Sequence, residues 1–212
     1  SFRRLPGRGG FLRGGLCSLS STGGLIVGKI VLVTGGARSG KSRFAESYAA
    51  RYGKSVAYIA TAEVYDEEMA FRVQLHQKRR PAEWQTYEAP FDAHNALQEA
   101  GEKHDMILFD CLTLYVSNLL CSLDSIEDSH RNYLLAQEKL ERLIQAARAH
   151  EGTAIFVTNE VGSGIVPENH LSREYRDIAG IVNQWMGRAA DEVYLVTCGL
   201  AVNIKKLAES WE

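Results

Sequence analysis

Short apolar runs alternate along this chain with longer segments in which apolar residues recur every three or four positions. Five runs rich in β-branched and large aliphatic residues read as buried strands: KIVLVT at 29–34, SVAYIA at 55–60, MILFD at 106–110, TAIFVT at 153–158 and EVYLVT at 192–197. WQTYE at 84–88 reads as a short strand or edge segment, and 201–205 as a last strand returning from a hairpin at Gly199. Helical spacing predicts helices over 41–51, 66–80, 91–101, 112–123, 133–150 and 171–190, with Gly53, Pro81 and Gly152 as the breaks after three of the helical segments. In the long helices Leu134, Leu140, Leu143, Ile144 and Ala147, and then Ile178, Ile181, Val182 and Trp185, are expected to face inward. Strands alternating with helices imply a doubly wound, mostly parallel α/β sheet with helices on both faces and a C-terminal antiparallel hairpin.

Composition narrows this picture. With 212 residues, 45% of them hydrophobic, the chain suffices for one substantial core. A single domain is expected over 29–212. Residues 1–28 carry Arg3, Arg4, Arg8 and Arg13, no acidic residue and many Gly and Ser. Such a leader superficially resembles an organelle-targeting segment, but its glycines weaken any amphipathic helix, so a mobile extension is expected. A net charge of −2 with interspersed signs offers no basic field, so nucleic acid is not an expected partner. The apolar helix at 112–123 is too short to span a bilayer, so stable membrane insertion is not expected. Cys17, Cys111, Cys121 and Cys198 have no metal-ligand spacing and are expected as reduced, mostly buried thiols in a cytoplasmic protein.

The chemistry concentrates behind the first strand. Gly35-x-x-x-x-Gly40-Lys41-Ser42 fits the phosphate-loop pattern, with strand, motif and helix in the required order. Its small residues let successive backbone N–H groups turn toward a phosphate, and the helix that begins near Lys41 adds its positive end. Lys41 supplies a mobile point charge, and the Ser42 hydroxyl is placed to join the shell of a Mg²⁺ ion. The fold expected is therefore that of a P-loop NTPase. Asp110 ends a buried strand at the ligand-binding edge and is the acid on the Mg²⁺ side, with a helix N-cap as the plainer alternative. Ala60, Thr61 and Ala62 leave another strand at the same edge. In the helix expected over 66–80, Glu68, Arg72, His76 and Arg79 share one face, and Lys78 and Arg80 lie close to it. Arginines beside a histidine keep it neutral and attract phosphate, which suits a nucleophile, although a polar stripe of this kind is ordinarily a solvated surface. The glycine-spaced loop from Asn159 to Pro167 is either a cover for a ligand or a plain connection. Arg173, Arg176 and Asp177 stand in the same way between ligand contact and surface charge.

Three segments together, LVTGGARSGKSRFAE at 32–46, DEEMAFRVQLHQKRRPAEW at 66–84, and VTNEVGSGIVPEN at 157–169 with RDIAGIVNQ at 176–184, resemble the bifunctional adenosylcobinamide kinase / adenosylcobinamide-phosphate guanylyltransferase family of cobalamin biosynthesis. The resemblance covers about 29–205. It implies nucleotide contacts at Gly35, Gly36, Ala37, Arg38, Ser39, Gly40, Lys41 and Ser42, at Ala60, Thr61 and Ala62, and at Gln77, Lys78, Arg79 and Arg80. It places the covalently guanylylated histidine at His76 and acidic positions near the nucleotide at Glu88 and Asp110. Some relatives carry a second His before the nucleophile and a Glu at the later acidic position; this chain has Leu75 and Asp110 there, which leaves one histidine in that segment. The implied reactions are phosphorylation of adenosylcobinamide by ATP or GTP, then transfer of GMP from GTP to adenosylcobinamide phosphate, with Mg²⁺ as cofactor and a homotrimer as the assembly. Two other readings use the same loop: guanylyl transfer alone, and a non-catalytic nucleotide switch.

Overall fold

A computed structural model of the chain describes residues 27–63 and 80–209. In chain order the elements are β1 (Lys29–Thr34), α1 (Lys41–Tyr52), β2 (Val56–Ala60), β3 (Gln85–Glu88), α2 (Ala93–Gly101), β4 (Met106–Asp110), α3 (Leu112–Cys121), α4 (Ser129–Ala149), β5 (Thr153–Val157), α5 (His170–Ala189), β6 (Glu192–Thr197) and β7 (Leu200–Asn203). Apart from Arg80, the helix expected over 66–80 lies outside the described residues, as do residues 1–26 of the expected N-terminal extension. Gly28, the last residue of that expected extension, is buried, and its N–H donates to the carbonyl of Arg148 at 2.9 Å.

The strands form one sheet in the order β3-β2-β4-β5-β1-β6-β7. Every pairing is parallel except β6 with β7. The hairpin turns at Cys198 and Gly199, both at positive φ (53° and 78°), the pair of left-handed residues that matches the twist of a two-residue turn. Alternation along each strand divides the core in two. Ile30, Leu32, Ile107, Phe109 and Phe156 pack under α2 to α5, while Val31, Val33, Leu108, Ile155 and Val157 pack under Ala45 and Ala49 of α1. The rings of Phe109 and Phe156 lie 5.1 Å apart at the centre of the first layer, where truncating either to alanine would cost about 3–5 kcal/mol.

Two sequence expectations shift. The long helix α4 begins at Ser129 rather than 133, because the Asp128 carboxylate accepts a hydrogen bond from the Arg131 N–H and caps it earlier. Leu134, expected to face inward, is 49% exposed, since the buried stripe runs through Ala136, Leu140, Leu143 and Ala147, and Leu134 lies off its phase.

Candidate nucleotide site at the carboxyl edge of the sheet

Parallel strands deliver their carboxyl ends to one edge, and the residues singled out above that are described collect there. Across it Glu88 pairs with Ala60, Ala60 with Asp110, Asp110 with Val157, and Val157 with Val33. At about 4.8 Å per strand, Asp110 stands on the order of 10 Å from the end of β1, whereas Glu88 is about twice as far. Asp110 is thus within reach of the loop through a phosphate and its ions, while Glu88 belongs to the far end of an elongated shelf.

The loop from Gly35 to Gly40 joins β1 to α1. Gly40 caps α1 in the left-handed region at φ 100°, and a Cβ there would stand 3.3 Å from the Gly199 Cα. A Cβ on Gly35 would stand 2.3 Å from the Val196 carbonyl oxygen, so β6 sets the back wall of the loop. The Gly199 N–H donates to the Ser39 carbonyl at 2.9 Å, tying the hairpin turn to the same loop. Gly36, Ala37 and Arg38 are exposed, and Ser42 is half-buried in the first turn of α1.

Lys41 is only 9% exposed, and its Nζ donates to the Gly36 carbonyl at 3.1 Å. Burial lowers the pKa of its ammonium, against the opposing pull of the charge on Asp110 and of Cys111. A buried ammonium of this kind gains from an incoming anion. The Asp110 carboxylate accepts the Tyr58 hydroxyl at 3.0 Å, and the Arg80 guanidinium lies 3.4 Å over the centre of the Tyr58 ring. Burial and the neighbouring Asp110 charge hold the Tyr58 phenol well above its ordinary range, so it remains a donor. Behind Asp110, Cys111 is buried and its thiol is pushed up to about 11.

Thr61 is buried, and its hydroxyl is committed to the chain: it donates to the Cys111 carbonyl and accepts the Cys111 N–H, both at 2.8 Å. The Asn118 amide donates to the Thr61 carbonyl at 2.8 Å. This clasp fixes where β2 and β4 end; on either side of Thr61, Ala60 and Ala62 are half-buried, Ala60 packed against the core layer under α1. Gln77, Lys78, Arg79 and His76 lie outside the described residues.

Sequence reasoning passed over Glu160. Its N–H donates to the Gly35 carbonyl at 3.2 Å, and its Oε1 accepts the Thr34 hydroxyl at 2.5 Å. The loop that follows is held by arginines: Arg176 donates to the Gly162 carbonyl at 2.6 Å, and Arg173 to those of Pro167 and Glu168. Both arginines thus bind their own backbone. A carboxylate three residues beyond the end of the strand next to β1 was the available signal. The cysteines also divide differently from expectation: of the three described, Cys111 alone is buried, whereas Cys121 ends α3 and Cys198 sits on the hairpin turn, where the chain faces water.

A cleft of about 490 Å³ opens at the opposite edge, lined by Lys29, Tyr48, Tyr52, Glu192 and Tyr194 among others. Its one lysine is paired within it, Lys29 with Glu192 at 3.0 Å, and Tyr48 donates to Glu192 at 3.1 Å, so it offers no free cation to a phosphate. Among the described residues no helix is long and apolar enough to cross a membrane, and no group of three or more His, Cys, Asp or Glu could hold a metal.

The chain is 45% identical over 181 residues to the bifunctional adenosylcobalamin biosynthesis protein CobU of Salmonella typhimurium, covering 83% of this chain and 99% of that protein. It is 41% identical over 181 residues to CobU of Escherichia coli, with the same coverage, and 41% identical over 174 residues to CobP of Pseudomonas aeruginosa, covering 82% and 96%. Among solved structures, a KaiC-like protein of Pyrococcus horikoshii aligns with a TM-score of 0.42 at 16% identity, over 80% of this chain and 71% of its own. The profile of the cobinamide kinase / cobinamide phosphate guanyltransferase family matches residues 31–204, and the chain belongs to that family.

Proposed function

We propose that this chain phosphorylates adenosylcobinamide with ATP or GTP and then transfers GMP from GTP to the phosphorylated corrinoid, giving adenosylcobinamide-GDP. The observation that carries the reading is the intact phosphate loop, with Lys41 buried in it and Asp110 on the same sheet edge, in a chain of this family. In both reactions the loop N–H groups and Lys41 bind the triphosphate and balance the charge that spreads as a phosphorus–oxygen bond breaks. The donors near it, a hydroxyl and a carboxylate, suit a hard cation that keeps most of its shell from phosphate and water. Ser42 and Asp110 would hold Mg²⁺, which neutralises the phosphate oxygens when bound. The Tyr58 hydroxyl orients the Asp110 carboxylate, and Arg80 on the Tyr58 ring brings a positive charge to that end of the shelf.

In the second reaction His76 attacks the α-phosphate of GTP; the N–P bond forms as the bond to the bridging oxygen breaks and pyrophosphate leaves. The phosphate of the corrinoid then displaces the histidine. Gln77, Lys78, Arg79 and Arg80 accompany His76 at the nucleotide, Ala60 to Ala62 and Glu88 line its far end, and three copies of the chain assemble as a trimer in the cytoplasm. Incubating the protein with GTP and adenosylcobinamide and following the corrinoid by chromatography tests the reading. Adenosylcobinamide phosphate followed by adenosylcobinamide-GDP is expected; an unchanged corrinoid refutes it. Sedimentation velocity gives the assembly separately.

A further inference from the structure

Strand β5 lies between β4 and β1, so the chain leaving it emerges between Asp110 and the phosphate loop. Glu160 is the third residue beyond the end of β5. Two donors hold its Oε1: the Thr34 hydroxyl at 2.5 Å and, at the limit of a hydrogen bond, the Asn183 amide at 3.4 Å. Asn183 is fixed in turn, donating to the Asn159 carbonyl at 3.0 Å and accepting the Thr158 hydroxyl at 2.7 Å. Asn159 donates to the Thr113 hydroxyl at 2.9 Å, and the Glu160 N–H is bonded to the start of the phosphate loop. Five polar side chains from β1, α3, α5 and the end of β5 thus set one carboxylate in place.

That carboxylate has no need to be charged for its structural bonds. Both partners are donors to a single oxygen, a task a glutamine amide oxygen performs equally well. Among the described residues Oε2 has no hydrogen-bond partner, and Glu160 forms no ion pair. The residue is half-buried, and its own N–H ties it to Gly35 at the start of the phosphate loop. A fixed negative charge next to an anion-binding loop weakens phosphate binding, so its presence calls for a chemical task. Positions flanking the γ-phosphate, between the loop and the acid on β4, are where an attacking hydroxyl has to lie.

We propose that Glu160 is the proton acceptor of the kinase reaction, an inference that rests on the function proposed above. The alcohol oxygen of the corrinoid side chain bonds to the γ-phosphorus as the bond from phosphorus to the bridging oxygen breaks. The nucleoside diphosphate leaves with that electron pair, and the alcohol proton passes to Glu160 Oε2, which releases it to water. Guanylyl transfer has no use for this group, because there the nucleophiles are a neutral imidazole and an ionised phosphate.

The Glu160→Gln variant keeps the acceptor for Thr34 and Asn183 and removes the base. Three quantities are to be measured on the full chain: the kinase kcat with γ-labelled GTP, formation of the protein adduct with α-labelled GTP, and the Kd for GTP by calorimetry. Kinase kcat is expected to fall on the order of 10²-fold, with adduct formation within about threefold of wild type and GTP bound as tightly as by wild type or more so. Kinase turnover within about threefold of wild type overturns the inference, as does a parallel fall in turnover, adduct formation and GTP affinity, which marks Glu160 as a strut of the loop. A wild-type chain without kinase activity overturns both the inference and the reading beneath it, whereas an active wild type with an unimpaired variant overturns the inference alone.

Discussion

Replacing Lys41 by Met separates what the buried cation costs the fold from what it gives the nucleotide. Methionine keeps the unbranched apolar stem in the same space and removes the ammonium. The variant loses one charge-assisted hydrogen bond, to the Gly36 carbonyl, a contribution of about 1.5–3 kcal/mol. It also escapes the cost of burying an ion, which is several kcal/mol for a group out of water. Burial prevails in the wild-type chain, since the ammonium pKa is lowered on folding despite the opposing charge of Asp110. A lysine with a lowered folded pKa opposes folding at every pH below its unfolded value of about 10.4, so at pH 7 the variant should be as stable as wild type or more so. A net gain of about 0–2 kcal/mol corresponds to a rise in Tm of about 0–8 °C for a chain of this size. The gain should shrink as the pH is raised toward the unfolded value and vanish above about 10.4, where the wild-type ammonium is lost in both states. Nucleotide handling should move the other way: losing a donor aimed at developing charge costs about 3–4 kcal/mol, or 10²–10³-fold in kcat. Differential scanning calorimetry at pH 7 and pH 9.5, beside kinase and guanylyl transfer assays, reads both effects. A Tm more than about 3 °C below wild type would show that the ammonium is a strut of the empty loop, and unchanged kinetics would remove Lys41 from the cradle.

Two further outcomes follow from buried groups elsewhere. His150 is 6% exposed, packed beside Gly101 and Gly152, and burial lowers its pKa, so the unfolded chain binds its proton first. Stability should therefore fall as the pH drops below about 6.5, and a His150→Gln variant should show a shallower loss of Tm between about pH 7 and 5; equal slopes would refute it. Among the described cysteines, Cys121 and Cys198 should be alkylated in the native protein while Cys111, buried with its thiol pushed up to about 11, reacts only on unfolding, which peptide mass spectrometry checks. Native labelling of Cys111 at a rate matching Cys198 would contradict its burial.

The strands were legible because their physics is local. Continuous runs of Val, Ile, Leu and Phe at 29–34, 106–110 and 153–157 can satisfy themselves only between helices on both faces of a parallel sheet, and they do. The phosphate loop was legible for a similar reason, since glycines, lysine and serine at fixed offsets encode a backbone shape. Helix boundaries were less so: Asp128 competes with the apolar periodicity as a start signal and prevails, and Leu134 sits in an apolar-looking stretch whose phase only the packed helix decides. Glu160 was hidden because its meaning is tertiary. Its partners Thr34 and Asn183 are 126 and 23 residues away, and nothing near it in sequence distinguishes it from a loop acid. His76 was legible through the helical spacing that sets it among Arg72, Lys78, Arg79 and Arg80.

The central claim is that one phosphate-loop site serves two bond cleavages, with His76 required for only one of them. Wild type and His76→Ala are to be compared with adenosylcobinamide and GTP labelled on either the α- or the γ-phosphate. Wild type should form an acid-labile, alkali-stable protein adduct from α-labelled GTP and pass γ-label to the corrinoid. His76→Ala should lose the adduct and the GDP-linked product while still forming γ-labelled adenosylcobinamide phosphate. An alkali-stable adduct that persists in His76→Ala would contradict the account.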